Sequence, residues 1–82
     1  DEELGDFISS PRVGTFYGCA SPGSKPFVSV GDHVSEGDVV CIVEAMKMMN
    51  EIKSEFSGKV LSINVENEQP VEYGQTLFKI SK

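Results

Sequence analysis

Residues 39–56 read VVCIVEAMKMMNEIKSEF, and the fold turns on whether residues 44–50 within this run are helix or turn. Glu44, Ala45, Met46 and Lys47 are all good helix formers. An isolated helix, however, needs roughly 12–15 residues to be even marginally stable in water. A single helical turn here would also leave Met46, Met48 and Met49 with no face to bury. On one side lies VVCIV (39–43), β-branched and apolar as a buried strand requires. On the other lies EIKSEF (51–56), which alternates as a half-buried strand does. The spacing therefore predicts a tight hairpin with Met46 and Lys47 at its tip. Two-residue hairpin turns need positive φ and favour Asn-Gly or Asp-Gly, so Met-Lys is a costly choice. A tip that accepts poor turn residues displays them, and the residue on display is Lys47. General acids and Schiff-base lysines need desolvation or neighbouring charge, which a hairpin tip in water does not supply. A covalent attachment point needs only to be reached.

Outward from this hairpin, strand signals recur at RVGTFY (12–17), FVSV (27–30), KVLSINV (59–65) and TLFKI (76–80). Gly31, Gly37, Gly58, Pro70 and Gly74 punctuate them, and no segment has a helical period. Short strands with frequent turns predict an all-β sandwich or barrel. The chain also repeats itself. Residues 37–43 align with 74–80, and Val34 with Val71, at a constant offset of 37. Residues 14–17 resemble 58–61, and 28–30 resemble 63–65, so two similar sheets related by a pseudo-two-fold are expected. On that alignment the first half carries nine extra residues, CASPGSKPF (19–27). Pro22-Gly23 within it reads as the centre of a type II turn, and Pro22 and Pro26 stiffen a short protrusion.

At 82 residues the chain is long enough for one small core. Its 39% hydrophobic and 24% charged residues suit a globular domain. The net charge is −6, but Asp1, Glu2, Glu3 and Asp6 carry four of the 13 acids, leaving nine against seven basic residues. No basic patch remains, which argues against nucleic acid or an anionic membrane as partner. DEELGD (1–6) reads as the end of a linker and 7–82 as the domain, a piece of something longer. Cys19 and Cys41 are too few and too separated for a metal cluster, and Cys41 is expected as a buried thiol. His33, the one histidine, has no nucleophile motif around it and is expected in an exposed loop.

EAMKM resembles the attachment motif of biotinyl domains, and VVCIVEAMKMMNEI extends the likeness on both sides. SPRVGTFY and SGKVLSINVENEQPVEYGQTLFKI look like that family's remaining strands, so the resemblance covers residues 9–82. The insertion CASPGSKPF is similar to the thumb of biotin carboxyl carrier proteins of multi-subunit acetyl-CoA carboxylase. Arg12 departs from the apolar residue expected before VGTFY. The resemblance implies a flattened eight-stranded antiparallel barrel or sandwich of two four-stranded sheets with a protruding thumb loop. It implies biotin joined covalently to Lys47 by a biotin protein ligase. Carboxybiotin would then pass from a biotin carboxylase to a carboxyltransferase, giving malonyl-CoA for fatty acid synthesis. The chain itself would be a non-catalytic carrier, in a bacterial cytoplasm or plastid stroma.

On the same basis Met46 and Met48 are expected to contact the cofactor, while Met49 is read as apolar filler. The thumb residues Ala20, Ser21, Pro22, Gly23, Ser24, Lys25 and Pro26 are expected within reach of biotin, with a polar group near Ser21–Lys25 making the contact. Glu44 and Glu51 are either ligase contacts or solvated strand-end carboxylates. A lipoyl domain is the nearest rival carrier, but its tip usually reads Asp-Lys-Ala. A biotinyl domain of another carboxylase is the stronger rival, opposed mainly by the thumb, which other biotinyl domains lack. A cofactor-free β-barrel interaction module would leave the unfavourable tip and the insertion without a purpose.

Overall fold

In the computed structural model, which describes residues 4–82, eight strands and no helix follow one another. They are β1 (Gly5–Ser9), β2 (Gly14–Tyr17), β3 (His33–Val34), β4 (Val39–Ala45), β5 (Met48–Lys53), β6 (Gly58–Ile63), β7 (Pro70–Val71) and β8 (Thr76–Ser81). They form two four-stranded antiparallel sheets, ordered β1-β8-β6-β3 and β5-β4-β2-β7. The expected two-sheet architecture is present as an open sandwich, because no strand pairing closes one sheet onto the other. Apolar residues from both sheets meet between them. Leu77, Phe78 and Ile80 of β8, Val60 of β6, and Val40, Cys41 and Val43 of β4 are each no more than 1% exposed. Phe16 and Phe78 touch across the middle, ring centroids 6.0 Å apart and tilted 52°. Each is the kind of aromatic core contact whose removal costs about 3–5 kcal/mol.

The pseudo-two-fold extends to the hydrogen bonds. Exchanging β1–β4 with β5–β8 carries one sheet order into the other. Ser10 and Ser54, the two buried polar residues among those described, follow β1 and β5 and make the same motif. Each hydroxyl donates to the carbonyl two residues on, Arg12 or Phe56, and accepts that residue's N–H. Four turns also match. Asp32, Asp38, Gln69 and Gln75 each accept, through a side-chain oxygen, the N–H three residues earlier. A Cβ on Gly14 would run into the carbonyl oxygen of Glu44. One on Gly58 would run into that of Ser81, 37 residues beyond Glu44. Only glycine lets the strands approach this closely.

This symmetry corrects the size of the insertion. The turns Ser29–Asp32 and Glu66–Gln69 are equivalent, so Val28 matches Val65 rather than Ile63. Both valines are buried. Gly14 to Val28 spans 14 residues and Gly58 to Val65 spans seven, so the first half holds seven extra residues, not nine. FVSV (27–30) forms no strand. Val28 anchors in the core, Val30 is exposed, and Ser29 opens a turn.

Three strands absent from the sequence reading, β1, β3 and β7, all lie at sheet edges. Edge strands pair on one side only and need fewer apolar residues to hold them. β1 begins at Gly5, so residues 5 and 6, read as linker, pair with Ser81 and Ile80. His33 is exposed as expected, but in β3 rather than a loop. Cys19 and Cys41 are both free thiols.

Candidate functional site: a lysine-tipped hairpin beside a thumb

β4 and β5 pair from Val39↔Lys53 to Ala45↔Met48, leaving Met46 and Lys47 as a two-residue turn. Their φ angles are +52° and +65°, the left-handed pair that a type I′ turn requires. Neither residue has the glycine or asparagine chemistry that makes this conformation easy. Asn50 braces the hairpin from within, its amide nitrogen 3.2 Å from the carbonyls of both Val43 and Met48. Lys47 is exposed at the apex. Met46 beside it is 92% exposed and Met48 66%. The structure thus brings together the three hairpin residues singled out in the sequence.

The insertion leaves the end of β2 as a small protrusion. Cys19 and Pro26 bridge at its base, and the Ser24 N–H donates to the Ser21 carbonyl (3.0 Å) around Pro22 and Gly23. Gly23 has φ +81°, as a type II turn demands at that position. The Ser21 and Ser24 hydroxyls lie 2.6 Å apart and tie the tip together. Asn67, from the link before β7, accepts the Gly18 N–H at 2.8 Å and pins the thumb's root.

A cleft of about 340 Å³ is lined by Cys19, Ala20, Ser21 and Pro22 of the thumb, by Met49 of the hairpin, and by Tyr17, Asn67 and Glu68. That volume falls in the roughly 300–1,000 Å³ range of small-molecule sites. Of the seven thumb residues expected at the cofactor, Ala20, Ser21 and Pro22 line this cleft. Gly23, Ser24, Lys25 and Pro26 do not.

Met49 is 55% exposed and faces the cleft, so it is not core filler. The register explains this: strand pairing begins at Met48, three residues before the predicted start. Met49 therefore falls opposite Glu44, in a row with Thr15 on one face of the sheet. Tyr17, Asn67 and Glu68 carried no sequence signal, because their proximity depends on the long-range pairing of β2 with β7. The Tyr17 hydroxyl donates to Glu44 Oε1 at 3.2 Å. Its pKa is raised by desolvation first, then by the Glu44 hydrogen bond, and further by the negative charges of Glu44 and Glu68. Among the described residues there is no group of three or more His, Cys, Asp or Glu able to hold a metal ion.

The fold is a two-sheet sandwich that displays an exposed lysine at the tip of a hairpin, with a cleft at the thumb next to β5. Residues 6–80 match the biotin/lipoyl attachment family, described as "biotin-requiring enzyme", and the chain belongs to that family. Curated relatives include the biotin carboxyl carrier proteins of acetyl-CoA carboxylase from Chlamydia pneumoniae (59% identical over 78 residues) and Pseudomonas aeruginosa (60% over 76). A chloroplastic relative from Arabidopsis thaliana is 49% identical over 74 residues. These alignments cover 95%, 93% and 90% of this chain but only 47%, 49% and 29% of the relatives, so the chain spans half their length or less. Among solved structures, urea carboxylase from Kluyveromyces lactis aligns with a TM-score of 0.79 at 35% identity, over 98% of this chain and 6% of that one. A single-chain, multi-domain long-chain acyl-CoA carboxylase shares the fold, with a TM-score of 0.80 at 20% identity, over 100% of this chain and 8% of that one.

Proposed function

We propose that the chain is the biotin-bearing domain of a biotin carboxyl carrier protein of acetyl-CoA carboxylase. The observation that carries this is Lys47, exposed at the apex of a turn that places two non-glycine residues in the left-handed region. Strain retained at a tip signals that the tip is used. The residues fit the group. The lysine amine is free to form an amide, which removes its charge. The cleft beside it is the size of a small-molecule site and offers Met49, Pro22 and Ala20 as apolar surface with Ser21 and Asn67 as polar partners.

Biotin supplies a ring nitrogen that accepts a carboxyl group. The chain performs no chemistry itself. Its hairpin presents the lysine to a biotin protein ligase, then carries the cofactor between a biotin carboxylase and a carboxyltransferase. Tethering replaces a free cofactor with one held at high effective concentration near both partners. Met46 and Met48 give the tip a soft apolar collar that adapts to successive partners. The carboxyl group's destination is acetyl-CoA, giving malonyl-CoA for fatty acid synthesis. The compartment is a bacterial cytoplasm or a plastid stroma, consistent with relatives from bacteria and a chloroplast.

The test is intact mass after incubation with biotin protein ligase, biotin and ATP. One biotinyl group is expected on the chain and none on Lys47→Arg, with equal Tm for both. A folded chain that gains no mass rejects the proposal.

A further inference from the structure

The pseudo-symmetry isolates one residue. Positions 31, 37, 68 and 74 are the equivalent third residues of the four matched turns, and all have positive φ: +97°, +96°, +68° and +83°. Three are glycine. The fourth is Glu68, which holds a strained conformation its counterparts reach without strain. Its N–H donates to the Phe16 carbonyl at 2.6 Å, fixing the backbone. It is also the charged residue lining the thumb cleft; the rest of the lining is tyrosine, cysteine, apolar residues, serine and asparagine. Glu44 adds a second carboxylate at the Tyr17 hydroxyl. Lys25, though on the thumb, does not line the cleft, and amide formation would remove the charge of Lys47.

We infer that Glu68 makes the thumb cleft selective for the uncarboxylated cofactor, so that the tethered arm leaves the cleft once its ring is loaded. This rests on the reading of Lys47 as the biotin-bearing residue. An unloaded ureido ring offers N–H donors that a carboxylate accepts well. When biotin carboxylase loads the ring from bicarbonate and ATP, one ureido N–H breaks, its proton leaves to a base, and an N–C bond to the new carboxylate forms. A donor facing Glu68 is lost and a negative charge takes its place. Like charges a few ångströms apart at a wet surface repel enough to shift an equilibrium by about tenfold, about 1.4 kcal/mol. The thumb then parks the empty arm and frees the full one, the order that a delivery cycle needs.

The Met49 ε-methyl, on the cleft wall, reports occupancy. Chain labelled with 13C-methyl methionine is followed by NMR as the apo form, after biotinylation at Lys47, and after loading with biotin carboxylase, MgATP and bicarbonate. The same series is run on Glu68→Gln, which removes the charge and keeps the strained backbone. Biotinylation should shift the Met49 signal. Loading should return it towards the apo position, with cleft occupancy falling about tenfold in the native chain and much less in Glu68→Gln. Equal occupancy before and after loading overturns the inference, as does an identical fall in both chains. A biotinylated chain whose Met49 signal never moves overturns it while leaving Lys47 as the acceptor. A chain that gains no biotin mass overturns the acceptor reading itself.

Discussion

Backbone strain at Lys47 and Glu68, both at positive φ, and the burial of Cys41 each have consequences that a single substitution exposes. Lys47 was legible because Met-Lys is wrong for the turn its flanking strands demand. Glu68 was not, because its strain is visible only against the three glycines at equivalent turns. Replacing Glu68 with glycine should stabilise the chain by about 1 kcal/mol, the cost of a side chain in the left-handed region. For a domain of this size that is about 4–8 °C in Tm by calorimetry. Cys41 is fully buried, and desolvation raises its thiol from the ordinary 9.0 to about 12. Above pH 9 the unfolded chain releases this proton while the folded chain keeps it. The folded state then binds more protons, and stability falls as pH rises from about 9 towards 12. Urea unfolding at pH 8 and pH 10 should show that loss. Cys41→Ala should reduce its slope without abolishing it, since the raised Tyr17 hydroxyl acts in the same direction.

Among the elements, β4 and β8 were the most legible, because their apolar runs are buried and each strand is paired on both sides. The edge strands β3 and β7 are two residues long and show no periodicity at all. The 27–30 segment misled for the opposite reason. Its valines have high strand propensity, but turn hydrogen bonds at Ser29 and Asp32 decide its path. The β4–β5 hairpin trades stability for access, and the trade is measurable. Met46→Asn, with Lys47 kept, gives the turn a residue that tolerates positive φ. It should raise Tm by a few degrees, from a gain of about 0.5–1 kcal/mol. The same change removes the apolar side chain beside the lysine, so the initial rate of ligase-catalysed biotinylation should fall. An unchanged Tm would mean that Met46 carries no strain.

At the scale of the whole molecule, the pole opposite Lys47 is its mirror in backbone terms. Offsets of 37 and 44 map Ala45 onto Lys82 and Met48 onto Leu4, the residues that flank the missing counterpart of the tip turn. The Lys82 N–H donates to the Leu4 carbonyl at 3.3 Å, already positioned for such a turn. A circular permutant joining Lys82 to Leu4 through Asn-Gly, opened between Gly23 and Ser24 in the thumb, should therefore fold cooperatively. Its Tm should lie within a few degrees of the native chain, and Lys47 should remain a substrate for the ligase. A permutant that unfolds in two steps would count against the equivalence of the two poles.

Neither half of the chain can build a sheet of its own. One sheet takes β1 and β3 from the first half and β6 and β8 from the second, and the other is divided the same way. A gene encoding a single half would have yielded a stable product only as an interlocked homodimer, and fusing two copies in tandem would have made that partnership permanent. Seven residues stand in the first half with no counterpart between Gly58 and Val65, so the thumb breaks the two-fold that the four matched turns keep. A group borne at the tip of the β4–β5 hairpin thus has a wall at hand that the two-fold alone would not supply.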